Sequence, residues 1–293
     1  MARFGRVSTA MVTPFDLAGN IDFKKTAKLI QYLISNGTES IVVGGTTGES
    51  PTLTSEEKAA LFQYTVKEVN GRIPVIAGTG SNDTRASIEL TKKAEEAGAD
   101  AVMLVTPYYN KPSQEGIFQH YKAIAESTKL PVMIYNVPGR TVVKMTAETI
   151  IRLAEIPNIT AVKDASGDLE LISEVIEKTS SEFDVYCGDD SLTLPVMAIG
   201  GTGIVSVASH VIGSEMQEMI RAFLQGDIKQ AGDIHRKILP VMNEMFAAPS
   251  PAPVKTALQM AGMDVGSVRL PLLPLTESER NSLLTVMNSL HSL

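Results

Sequence analysis

Apolar positions along the chain alternate between two spacings, and the alternation recurs eight times. Short solid runs rich in Val, Ile and Ala fall at 7–12, 40–45, 73–78, 101–105, 131–136, 159–163, 184–187 and 203–207. Runs of this length, punctuated by Gly, Pro, Asn and Asp, predict buried β-strands. Between them the apolar residues fall on a helical stripe, predicting helices at 22–36, 54–70, 83–98, 113–128, 146–154, 169–179, 192–199 and 215–224. The first helix shows the logic, with Phe23, Ala27, Ile30 and Ile34 on one face and Gly37 as the stop. The second opens on Thr54 with Glu57 three residues later, a capping box.

Eight strand–helix units in about 225 residues suit an α/β fold of the (β/α)8 TIM-barrel type. A doubly wound open sheet competes, but it usually needs fewer units and carries a glycine fingerprint after its first strand. Gly78-Thr79-Gly80 follows a strand yet lacks the third glycine. Beyond the eighth unit, helical patterns at 227–248, 254–261 and 277–290 predict a C-terminal all-helical subdomain packed on the barrel. The expected division is 1–225 for the catalytic barrel and 226–293 for the helical part. Pro249-Ser250-Pro251-Ala252-Pro253 breaks the first of these helices, and 269–274 forms an extended link.

Composition narrows the function. A net charge of -7 without a long basic run argues against nucleic acid and anionic membranes as partners. The 293 residues include one cysteine, Cys187, which permits no intrachain disulfide and fits a reducing compartment. The N-terminus carries no apolar core of signal-peptide length, and no run is long enough to span a bilayer. A cytoplasmic enzyme is the expectation.

In a (β/α)8 barrel the active site lies at the C-terminal ends of the strands. The sixth strand, Ile159-Thr160-Ala161-Val162-Lys163-Asp164, ends on a lysine. Burying an ammonium is costly, and desolvation favours the neutral amine, the nucleophilic form that imine chemistry requires. The alternative is a structural lysine paired with Asp164 or Asp189. The second strand ends in Gly44-Gly45-Thr46-Thr47-Gly48-Glu49-Ser50, whose glycines and hydroxyls suit a carboxylate. Tyr108-Tyr109 follows the fourth strand, and adjacent tyrosines point in different directions, one toward a site and one toward an interface. Tyr135 ends the fifth, where a phenol can relay protons, and Arg140 follows in a Pro-Gly turn, where it can grip a carboxylate. His120, His210, His235 and His291 are scattered and lie at no predicted strand end, so a metal is not expected. Cys187 is expected to pack in its strand, and Asp189-Asp190 to cap a helix.

These strand ends resemble the dihydrodipicolinate synthase family, within the N-acetylneuraminate lyase superfamily of class I aldolases. The resemblance spans nearly the whole chain. It rests on Gly45-Thr46-Thr47-Gly48-Glu49, Tyr135-Asn136-Val137-Pro138-Gly139-Arg140-Thr141 and Val162-Lys163-Asp164. Thr106-Pro107-Tyr108-Tyr109-Asn110-Lys111-Pro112, Gly188-Asp189-Asp190 and Arg269-Leu270-Pro271-Leu272 support it.

The resemblance implies condensation of pyruvate with aspartate semialdehyde on the way to diaminopimelate and lysine, with no cofactor beyond a covalent pyruvate imine on Lys163. It assigns a proton relay to Tyr135, Thr46 and a neighbouring subunit's Tyr109. Thr47 would hold the pyruvate carboxylate, Arg140 the carboxylate of the semialdehyde, and Gly188 and Val205 would line the pocket. A homotetramer, a dimer of dimers, is implied. Within the superfamily, sialic acid lyases lack the Pro-Gly-Arg pattern. Another pyruvate-dependent aldolase on the same scaffold, for sialic acid or a 2-keto-3-deoxy sugar acid, and a non-catalytic keto-acid-binding regulator are the competing readings. The family's lysine-sensitive members carry histidines and a glutamate where this chain has Ser55, Lys58 and Ala86, and Pro51 replaces a smaller residue, so insensitivity to lysine is expected. Ser50, Asn82 and Tyr108 match.

Overall fold

Eight short strands pair in chain order, all parallel, and the last returns to the first to close a barrel. They are β1 (Val7–Ala10), β2 (Ser40–Val43), β3 (Val75–Gly78), β4 (Ala101–Val105), β5 (Val132–Asn136), β6 (Ile159–Asp164), β7 (Asp184–Cys187) and β8 (Gly203–Ser206). The computed structural model describes residues 2–291. Side chains alternate across a strand, and β2 shows why its run is apolar throughout. Val42 joins the barrel interior with Ile76, Met103, Met133 and Val205, whereas Ile41 and Val43 pack outward under the helices.

The helices of the barrel are α1 (Phe23–Ser35), α2 (Ser55–Val69), α3 (Thr84–Glu96), α4 (Gln114–Ala125), α5 (Pro138–Thr141), α6 (Ala147–Ala154), α7 (Leu169–Lys178), α8 (Thr193–Ala198) and α9 (Ser209–Leu224). Their N-termini follow the capping chemistry of the sequence. Asp22, Asp83, Ser113, Thr146 and Asp168 each accept a backbone N–H of the first turn, and Thr54 and Glu57 complete a capping box.

Two helices depart from the pattern-based expectation. The stripe predicts the eighth helix from 215, yet that helix, α9, begins at Ser209 and passes a non-helical residue, Ile212. The added turn, Ser209-His210-Val211-Ile212-Gly213-Ser214, is made of weak helix formers. Tertiary contacts hold it: buried Asp190 accepts the N–H groups of Val207 and Ala208, and Ser206 Oγ accepts that of Ser209. The other departure, the single turn α5, is too short to leave a periodic signal.

The C-terminal helices are α10 (Ile228–Glu244), α11 (Ala252–Met260) and α12 (Glu277–His291). The first stops four residues before the expected 248. The second starts at Ala252, two residues early, because proline is tolerated in a first helical turn. Ile238, Val241 and Met242 of α10, Leu258 of α11 and Leu283 of α12 belong to the same apolar core as the barrel's outer layer. No helix among the described residues is long and apolar enough to cross a membrane.

Candidate active site

Strand register builds the centre of the site. Val105, Tyr135, Lys163 and Tyr186 are successive partners across β4, β5, β6 and β7. Within β6 the alternation sends Ala161 into the barrel and Val162 outward to the helices. Lys163 therefore faces inward, is 4% exposed, and its ammonium lies 4.3 Å from the ring centroid of Tyr135.

Asp164, the next residue, is held on the other side of the strand. Its Oδ2 accepts Asn136 Nδ2 at 2.7 Å, and its Oδ1 accepts the N–H of Ser166 at 2.9 Å and that residue's hydroxyl at 2.5 Å. The structural pairing of Lys163 with Asp164 or Asp189 is not made. Among the described residues Lys163 forms no ion pair, and its amine faces the Tyr135 ring. A cation over an aromatic face is favourable, but it leaves the nitrogen lone pair uncommitted once the proton is lost.

Two chambers open beside Tyr135. One, of about 280 Å³, is lined by Gly44, Gly45 and Thr46 of the loop after β2, together with Tyr108, Tyr135 and Arg140. The other, of about 490 Å³, is lined by Tyr135, Arg140, Gly188 and Asp189, with Asn243 from α10 and Phe246 from the turn after it. Tyr135, Val137 and Arg140 belong to both. Arg140 is exposed on α5, and its side chain forms no hydrogen bond or ion pair among the described residues, so its guanidinium is available to an anion.

Glycine is required at two points of this wall. Gly44 has φ +68°, and a Cβ there would lie 2.9 Å from the Phe62 ring. A Cβ on Gly188 would meet that of Ala165 at 2.7 Å, so the ends of β6 and β7 approach closely only without a side chain.

The remaining candidates divide. Thr47 is buried beside Thr46, and Val205 is fully enclosed in the barrel interior. Tyr108 faces its own chain's chamber, whereas Tyr109 is 87% exposed with a left-handed backbone (φ 73°) and lines neither chamber. The sequence reading did not foresee Asn243 or Phe246 among the lining residues. Asn243 lies on α10 and Phe246 just past its end, and the stripe of that helix shows a buried face but not which loop it approaches.

Residues expected to pack do so. Burial pushes the Cys187 thiol up to about 12, leaving it inert. Asp189 caps the turn after β7 by accepting Ser191 N–H. Burial lowers His120 and His210 to about 4, so both are neutral at ordinary pH. The His291 side chain lies outside the described residues. Among the described residues no cluster of His, Cys, Asp or Glu has the makings of a metal site.

The model of the dihydrodipicolinate synthetase family matches residues 3–290. The chain belongs to that family. A 4-hydroxy-tetrahydrodipicolinate synthase from Bacillus velezensis is 66% identical over 286 residues, 98% of this chain and 99% of the relative. A crystal structure of a dihydrodipicolinate synthase from Bacillus anthracis, also 66% identical, superposes with a TM-score of 0.97, covering 100% of this chain and 99% of the other. A family structure from Cyanidioschyzon merolae, solved with lysine bound, is 47% identical, with a TM-score of 0.97 and 99% of each chain covered. The strand-end motifs that carry the family resemblance are thus embedded in agreement over essentially the whole length.

Proposed function

We propose that the chain condenses pyruvate with aspartate semialdehyde to 4-hydroxy-tetrahydrodipicolinate, through an imine on Lys163. The observation that carries this reading is the setting of Lys163: buried inside the barrel, paired with no carboxylate among the described residues, and placed over the Tyr135 ring. Family membership over residues 3–290 supplies the reaction class.

The Lys163 amine attacks C2 of pyruvate, and water leaves to give the protonated imine. That imine draws electrons from C3, a C3 proton is lost, and the enamine attacks the aldehyde carbon. The semialdehyde's own amine then adds at C2 and displaces Lys163, closing the ring and freeing the lysine. The sum is one new C–C bond, one C=N bond in place of the pyruvate C2=O, and one water released, with no redox change. The imine is itself the electron sink, so the route calls for no cofactor or metal.

Proton movements are assigned to Tyr135 and Thr46, with Tyr109 contributed by a neighbouring subunit. The exposure of Tyr109 supports that assignment, since its side chain reaches away from its own chambers. Thr47 takes the pyruvate carboxylate, and Arg140, between the chambers, takes that of the semialdehyde. Gly188 and Val205 shape the walls. A homotetramer in the cytoplasm completes the proposal.

The test is borohydride reduction in the presence of pyruvate, followed by mass analysis of peptides. One pyruvate-derived adduct on Lys163 is expected, and none in Lys163→Ala. An adduct elsewhere, or undiminished turnover in that variant, refutes the mechanism.

A further inference from the structure

The loop that supplies Thr46 and Thr47 ends on Glu49, whose backbone is left-handed (φ 59°). A non-glycine residue keeps that conformation only where its surroundings fix it. Here they do. The Glu49 carboxylate is wholly buried, with Oε1 2.6 Å from Lys255 Nζ and Oε2 accepting the Arg269 N–H at 2.8 Å. The lysine contact is a close charge pairing rather than an aligned hydrogen bond.

Lys255, on α11, is 2% exposed. It donates to Ser267 O at 2.8 Å, and its ammonium lies 4.2 Å from the Phe15 ring centroid. The Arg269 guanidinium lies 4.4 Å from the same centroid and forks onto both oxygens of Glu57 on α2. The C-terminal part of the chain thus reaches across to the β2 loop with two cations.

None of these groups takes part in the proposed chemistry. Nor is stability a sufficient reason for them, because a buried ion pair often stabilises no better than apolar residues of equal size. Position is the better reason. Glu49 N–H donates to Thr46 O at 3.0 Å, and Ser50 N–H to Gly45 O at 3.2 Å. A shift of Glu49 is therefore passed directly to the threonine segment.

We propose that Lys255 is a positioning residue for keto-acid binding: through its buried pairing with Glu49 it fixes the 45–50 loop, so that Thr46 and Thr47 present their donors to the substrate carboxylate. The C-terminal helices are then a working part of the site. This rests on the reading of the loop given under Proposed function.

The experiment measures the pyruvate concentration giving half-maximal borohydride trapping, together with KM for each substrate and kcat. Lys255→Met keeps the length and removes the charge. The expected result is a rise in pyruvate half-saturation of about tenfold or more, with full trapping at saturating pyruvate and a semialdehyde KM within about twofold of wild type. Lys255→Arg, which restores the cation, should recover most of the loss. If Lys255→Met does not fold, the double variant Lys255→Met/Glu49→Gln leaves no unpaired charge and is expected to show the same shift. An unchanged pyruvate half-saturation in either folded variant overturns the proposal. So does a lower trapping yield at unchanged half-saturation, the mark of instability alone. Lys163→Ala, run in parallel, tests the imine reading separately, since only failure of that reading would leave it trapping pyruvate.

Discussion

Lys163 and Arg140, the two cations of the proposed site, have opposite surroundings, one enclosed and one exposed. Lys163→Arg is expected to abolish imine formation, because a guanidinium keeps its proton and has no free lone pair. Trapping in that variant would refute the role. Arg140→Ala should weaken use of the semialdehyde far more than trapping of pyruvate. A charge-assisted bidentate contact contributes about 1.5–3 kcal/mol, or roughly ten- to a hundredfold. Equal loss in both measurements counts against Arg140 as the semialdehyde's anchor. Lys163 and Tyr135 were legible in the sequence because a strand end fixes where a side chain points. Lys255 was not, because its partner Glu49 lies 206 positions earlier and only the folded chain brings them together. Tyr108 and Tyr109 were separable only in principle. The left-handed backbone at Tyr109 breaks the alternation that would have assigned them. His210 sets a pH limit. Its Nδ1 donates to Val207 O at 2.8 Å and its Nε2 accepts Val12 N–H at 3.2 Å, so the neutral ring fits and the protonated one does not. Its folded value of about 4 lies below the unfolded 6.5, so the unfolded chain binds more protons in that window and stability falls as pH drops through it. Urea unfolding should show a loss of about 2 kcal/mol from this residue between pH 7 and pH 5, absent in His210→Gln. An identical pH slope in that variant would refute it.

At the level of elements, the helices with strong caps and clear stripes were read to within a few residues. The failures have a common cause. The first turn of α9 is held by Asp190 and Ser206 rather than by its own residues, so nothing local announced it. The C-terminal ends of β1 and β2 were also read too far along the chain. They end at Ala10 and Val43 rather than at 12 and 45, and after Val43 the chain leaves the sheet to line the first chamber with Gly44, Gly45 and Thr46. On α2, Lys58 lines the first chamber with Ser50 and Tyr108, and it forms no ion pair among the described residues. A free lysine approaching these residues meets a like charge, which disfavours binding. Millimolar lysine is therefore expected to leave the condensation rate unchanged at subsaturating pyruvate. Saturable inhibition, with a matching calorimetric isotherm, would show that the remaining polar residues suffice.

For the whole molecule, the barrel and its order of strands followed from the eightfold alternation, but assembly did not, since no period encodes a partner. The exposed Tyr109 gives that question a measurable form. Mixing Lys163→Ala and Tyr109→Phe protomers should restore activity, because one site of each mixed pair regains both groups. No recovery under proven subunit exchange would place Tyr109 outside the neighbouring site. The closure of β8 onto β1 bears on the same question from another side. A ring of strands has no free rim on which a second chain can lengthen the sheet, so backbone-to-backbone growth, the common route to both fibrils and sheet-sharing dimers, is shut. Any association must be made by side chains on helices and loops. Its strength and symmetry can then drift by single substitutions at the surface, while the interior that holds the lysine is left untouched.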